Sequence, residues 1–171
     1  MNKKMMGLAL AGLAFATSAS GQPAYTQDGK MLPPADYRSW IFLTSGFDMS
    51  YVDGPPATAH RFGNVFVDRL AYEAFVKTGL WPDKTVFVLE SRAGSADDPL
   101  VKRGQFQAGP VLGLETHVKD AAKGGWAFYA FRDAGPAAMI ARTATCYSCH
   151  QDHGQKDTTF TQYYPTLADG K

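Results

Sequence analysis

Thr85-Val-Phe-Val-Leu-Glu-Ser91 (TVFVLES) is built mostly of β-branched and aromatic residues, with no glycine or proline to interrupt it. Alternation with a period of two puts Val86 and Val88 on one face and Phe87 and Leu89 on the other, and both sets are apolar. A strand wetted on one side alternates apolar with polar residues, so this one is expected in the middle of a sheet covered on both faces.

The flanking segments sort by the same rules. Gly63 to Asp68 (GNVFVD) alternates toward a strand, and Asp68 stands where it would cap a helix through Arg69 to Lys77 that Gly79 would close. Leu70, Ala74 and Phe75, or Tyr72 and Phe75, sit at helical spacing there. Earlier in the chain, 22–35 reads as an extended arm. Pro33 to Leu43 reads as a short helix start with Asp36 near its N-cap and Tyr37, Trp40 and Ile41 on one side. Gly46 to Ala59, with Gly54-Pro55-Pro56, reads as a loop.

Downstream, 91–104 is polar and expected as a loop. Pro110 to Val118 is expected as a strand with Val111, Gly113, Glu115 and His117 on one face, and Gly124 to Phe131 as another after a glycine turn. Gly135 to His150 places proline at a first helical position, which predicts a short helix with the two cysteines at its end. The sum is an α+β chain, mainly antiparallel β-sheet with a few helices.

The N-terminus bears on compartment. Lys3 and Lys4 precede an apolar run from Met5 to Ala16 and small residues at 18–21, the pattern of a secretory signal peptide over 1–21. The run is shorter than the roughly 20 residues that span a bilayer. The expectation is one domain over 22–171, exported to the periplasm and free of the membrane after processing. A net charge of +1 with scattered Lys and Arg gives no basic stripe for nucleic acid.

Both cysteines fall in Cys146-Tyr147-Ser148-Cys149-His150, the C-x-x-C-H spacing of covalent c-type haem attachment. Two thiols three residues apart reach the two vinyl groups of a haem, and the next side chain arrives beneath the iron as an axial imidazole. Three other readings use the same residues. A dithiol oxidoreductase would carry the motif near the front of a βαβ unit. A zinc site would have to draw its four ligands from Cys146, Cys149, His150 and His153. A structural disulfide would close a very small loop and contribute little. Haem c answers best to the motif in an exported chain.

"DYRSW", "VFVDRLAYEAF", "WPDKTVFVLE", "GLETHVKDAAKGGWAFYAF" and "CYSCHQDHGQKDTTFTQYYPTL" together resemble the cytochrome P-460 family, and within it the cytochrome c′-beta group. The resemblance spans nearly all of 22–171. It implies a periplasmic homodimer carrying one covalently bound haem c in a β-sheet-dominated fold, with Cys146 and Cys149 attached to the haem and His150 on the iron. In the hydroxylamine-oxidising members a lysine just before the glutamate of the "TVFVLE" strand is crosslinked to the haem edge. Leu89 holds that place here and has no nitrogen to form the link; Lys77 and Lys84 are the neighbouring lysines. Glu115 matches the distal carboxylate of those members, which accepts protons from a nitrogen substrate; a strand carboxylate facing solvent or an arginine is the plain alternative.

On this reading Phe87 and Leu89 touch the distal side of the haem. An apolar lid offers few donors to dioxygen and suits nitric oxide and carbon monoxide. Nitric oxide binding or detoxification, with a soluble redox partner, is therefore the leading expectation. A hydroxylamine-oxidising or peroxidase-like enzyme using Glu115 is the second. An electron-transfer cytochrome with Met49 or Met139 on the iron is the third, and His60 is a further residue within sequence reach of the distal side. His117 shares a strand face with Glu115, and Arg61, Arg103 and Arg142 are the guanidinium candidates for the haem propionates. Phe62, Phe128 and Tyr129 read as core and His153 as exposed.

Overall fold

The computed structural model describes residues 21–51, 53–55 and 58–167. The signal-peptide reading falls outside them, apart from Gly21. Among the described residues, five strands form one sheet in the order β1-β2-β3-β4-β5, each antiparallel to the next. They are β1 (Ile41–Phe47), β2 (Arg61–Val67), β3 (Val86–Ser95), β4 (Phe106–Asp120) and β5 (Gly125–Phe131). Two α-helices accompany them, α1 (Arg69–Thr78) and α2 (Thr145–His153). The architecture is the α+β arrangement expected, and no described helix is long and apolar enough to cross a membrane.

The TVFVLES segment lies in the central strand, β3. Val86 and Val88 join a core cluster with Met31, Tyr37, Trp40 and Tyr129, while Phe87 belongs to a second cluster with Leu43, Trp81, Trp126 and Phe128. The sheet is thus covered on both sides, each fully buried large side chain contributing about 1.5–3 kcal/mol. The N-terminal arm covers the first face, where Met31 and Ala137 exchange backbone hydrogen bonds of 2.8 and 2.9 Å. Residues of α1, α2 and the C-terminal turns pack on the second.

Helix α1 forms as its caps predict. Asp68 accepts a hydrogen bond from the Ala71 amide at 2.9 Å, and Gly79, at φ 71°, turns the chain left-handed and returns its N–H to Phe75. Its core-facing residues are Ala71, Tyr72 and Phe75, whereas Leu70 is exposed.

Three boundaries differ from the sequence reading. The helix expected from Asp36 is a single 3-10 turn, Tyr37–Ser39, and Ile41 already belongs to β1. The Tyr37 hydroxyl donates to the Glu90 carboxylate on β3, so this segment is drawn onto the sheet rather than wound into a helix. The polar stretch from Ser91 is not all loop, because β3 runs on to Ser95 against Phe106–Ala108, with register shifts around Arg92. Finally, Pro136 does not start a helix. Ala137 and Met139 bridge to Met31 and Tyr129, and the Ile140 amide bonds the Phe128 carbonyl at 2.8 Å, which holds this stretch extended beside β5. Helix α2 begins only at Thr145, so the cysteine motif opens the helix instead of ending it.

Candidate haem site

Cys146, Cys149 and His150 lie at spacing i, i+3 and i+4 in α2, which sends their side chains from one helical face. All three line a cavity of about 1160 Å³ whose other wall is the sheet. That volume exceeds the roughly 300–1,000 Å³ of ordinary small-molecule pockets.

Cross-strand pairing tiles this wall in rows. Val67, Phe87, His117 and Phe128 make one row, Val65, Leu89, Glu115 and Ala130 the next, and Gly63, Ser91 and Gly113 a third. Gly63, Val65, Phe87, Leu89, Ser91, Glu115 and His117 face the cavity. The third row is low: a Cβ on Gly63 would meet Leu89 Cδ1 at 3.3 Å, so glycine there leaves space over the sheet.

Backbone geometry orients His150. Its Nδ1 lies 2.8 Å from the Thr158 carbonyl oxygen, which only accepts, so Nδ1 carries the proton and Nε2 keeps a bare lone pair. The ring is packed by Phe160 at 4.4 Å, His117 at 4.7 Å and Phe128 at 4.8 Å between centroids. Burial lowers the His150 pKa below the usual imidazole value, with the Thr158 hydrogen bond acting in the other direction. Cys146 and Cys149 are free thiols, half-buried. Two thiols and a neutral imidazole on one helical face, opposite a largely apolar wall with a low glycine row, fit a haem.

Two titratable groups share the sheet side of the cavity. Glu115 is exposed at the cavity surface, and partial desolvation against the wall raises its pKa above the usual carboxylate range. His117 is driven down to about 3 by burial and by the neighbouring His150, and its ring stacks on Phe128 at 4.0 Å. Leu89 is half-buried at the centre of the wall. Phe87 lines the cavity while its ring packs edge-on against Trp81 at 4.8 Å.

The remaining candidates separate clearly. Met49 lines the cavity, but Met139 sits in the bridge to Tyr129, away from it. His60 does not line it, since its Nδ1 is 2.5 Å from Asp48 Oδ2 and its ring stacks on Phe47. Arg61 lines the cavity, whereas Arg103 lies in an exposed loop and Arg142 bonds the Lys123 carbonyl. Among the described residues no lysine lines the cavity: Lys84 is paired with Asp120, and Lys77 is on the exposed side of α1. Phe128 and Tyr129 are core, but Phe62 faces the cavity. His153 is exposed, and among the described residues no group of three or more His, Cys, Asp or Glu side chains is arranged to hold a metal ion.

Several lining residues were not singled out as site residues from the sequence, although three of them lie in the FTQYYP stretch that carries the family resemblance. Tyr51, Phe160, Tyr163 and Tyr164 complete the cavity beside α2, and Tyr51 stacks on Phe160 at 5.3 Å. The Thr158 contact is made by a backbone carbonyl, to which side-chain identity gives no clue.

Among curated proteins no match to the chain is found. The family model described as Cytochrome P460 matches residues 34–161, well over half of the chain. With the cysteines and His150 gathered on one cavity wall, the chain belongs to the cytochrome P460 family and is a haem-containing cytochrome.

Proposed function

We propose that this chain is a periplasmic monohaem cytochrome of the c′-beta kind, holding one covalent haem c with an open iron site that binds nitric oxide and carbon monoxide. Cys146 and Cys149 would carry the thioether bonds and His150 the iron, through the Nε2 that the Thr158 carbonyl leaves free. When bound, the haem would supply an iron able to take up a diatomic ligand. The protein's own part is to orient the imidazole, to exclude water with Val65, Phe62, Phe87 and Leu89, and to keep the thiols in reach.

The observation that carries this reading is the wall opposite α2. By the family resemblance Leu89 stands where the hydroxylamine-oxidising members carry the crosslinking lysine, and among the described residues no lysine lines the cavity. The apolar part of this wall, Val65, Phe87 and Leu89, favours ligands that need no hydrogen-bond donor, beside the polar Ser91, Glu115 and His117. A homodimer and a soluble redox partner go with this reading through the family resemblance.

A second reading has an observation of its own. Glu115 faces the cavity with its pKa raised by desolvation, the direction that favours proton transfer by a carboxyl group, which supports an enzyme acting on hydroxylamine or peroxide. The electron-transfer reading narrows to Met49.

The deciding experiment uses the exported, purified protein. Haem that stays with the chain in a denaturing gel, and a ferrous spectrum at an ordinary c-type position that shifts on adding either gas, are the expected results. Haem extracted by acid-acetone would overturn the covalent attachment. A low-spin ferrous spectrum insensitive to both gases would overturn the open site in favour of Met49 ligation, and appreciable hydroxylamine turnover would favour the enzyme.

A further inference from the structure

We propose that the ion pair between Lys119 and Asp157 is a clamp that holds the Thr158 carbonyl against His150 and thereby sets how strongly that imidazole donates to the haem iron. The proposal rests on His150 being the axial ligand.

The turn that delivers the carbonyl is conformationally unusual. Asp157 and Thr158 are consecutive left-handed residues, with φ 49° and 55°, and neither is glycine. Thr158 is β-branched, so the conformation persists only if the surroundings over-determine it. Asp157 Oδ2 lies 2.6 Å from Lys119 Nζ, and the same ammonium donates to the Trp81 carbonyl at 2.7 Å. One cation thus ties the turn to β4 and to the segment between α1 and β3. Buried Trp81 adds a second tie, its Nε1 donating to Thr159 Oγ1 at 3.1 Å.

The two flanks of the turn differ. Toward α2 it is jammed, because a Cβ on Gly154 would come within 2.5 Å of the Thr158 carbonyl carbon. On the other flank Asp157 and Thr158 open onto a crevice of about 450 Å³, shared with Trp126, Arg142, Tyr147 and His150. The turn is closed on itself by the backbone exchange between Lys156 and Thr159, and the ion pair is what ties it to β4.

A hydrogen bond that orients a metal-bound imidazole and raises its basicity strengthens the metal–ligand bond, and loss of such an outer contact costs about 10–100-fold in affinity or activity. Without the clamp the turn, still closed by the backbone exchange between Lys156 and Thr159, is no longer anchored to β4, the carbonyl moves off Nδ1 and the imidazole donates less. The ferric state then loses more stabilisation than the ferrous one, which raises the reduction potential.

The test is resonance Raman spectroscopy of the ferrous holoprotein, free of added gas, with the midpoint potential measured in parallel on wild type, Lys119→Met, Asp157→Asn and Lys119→Arg. Lys119→Met and Asp157→Asn should lower the iron–histidine stretching frequency, raise the potential and speed loss of the imidazole about tenfold. Lys119→Arg should keep all three near wild type. Unchanged frequency and potential in the first two variants would overturn the clamp. A wild-type ferrous spectrum of five-coordinate, high-spin type without an iron–histidine band would instead overturn the role of His150, so the two failures are distinct. Should Lys119→Met fail to load haem, the near-isosteric Asp157→Asn carries the same comparison.

Discussion

Leu89 on β3 and Glu115 on β4 are direct cross-strand partners, and both face the cavity beneath Cys146, Cys149 and His150. A leucine, which carries no nitrogen for a haem crosslink, and a cavity-facing carboxylate are therefore immediate neighbours. Side chains so paired have Cβ atoms about 4.5–5.5 Å apart, close enough to act on one another.

Leu89→Lys tests that proximity. An ammonium placed opposite Glu115 favours the ionised carboxylate and should bring its raised pKa down toward the ordinary range. If the amine also reaches the haem, the Soret band should move strongly to the red and an intact peptide digest should show a haem-linked lysine. The wild type should show neither. An unchanged spectrum in Leu89→Lys would mean that the Leu89 position does not lie at the haem edge.

Glu115→Gln separates the two leading functions. Replacing a cavity-surface carboxylate with a neutral amide of the same shape should leave carbon monoxide and nitric oxide affinity within a few-fold. Any hydroxylamine or peroxide turnover should fall about 10²–10⁴-fold if Glu115 transfers protons. Steady-state assays across pH on both proteins make the comparison, and equal residual turnover would remove Glu115 from the chemistry.

On the other face of the sheet, Glu90 governs acid stability. Burial alone would raise its pKa, but hydrogen bonds from Arg92, Tyr37 and Arg38 outweigh that and bring it from the ordinary 4.5 to about 2. Between those values the unfolded chain binds a proton that the native one does not, so stability falls as the pH drops through that window. The group contributes about 3 kcal/mol above it. Urea titrations at a series of pH values should show this slope in wild type and a flattened one, on a lower plateau, in Glu90→Gln.

Gly154→Ala probes the turn that feeds His150. The backbone there is ordinary, at φ −69°, so the penalty is steric: the new Cβ would lie 2.5 Å from the Thr158 carbonyl carbon and 2.6 Å from the His150 oxygen. Both are backbone atoms and cannot rotate away. A loss of about 1–3 kcal/mol in urea unfolding is expected, as for other overpacked sites. Weaker haem loading should accompany it, measured as haem per chain.

Residues close together along the chain fixed what periodicity and capping can encode. The two apolar faces of Val86 to Leu89, the Asp68 and Gly79 caps of α1, and the gathering of Cys146, Cys149 and His150 on one side of a helix all follow from local rules about which way side chains point. Long-range backbone pairing decided the rest. Residues 137–140 lie extended because their N–H and C=O groups find partners on β5 and the N-terminal arm, which delays α2 to Thr145. Register set Glu115 beside Leu89, and loop closure brought Met49 to the cavity while leaving Met139 and His60 outside it. The Thr158 carbonyl reached His150 through a left-handed turn held from β4. Such contacts join groups far apart in sequence through backbone atoms that every residue shares, so no local pattern of side chains encodes them.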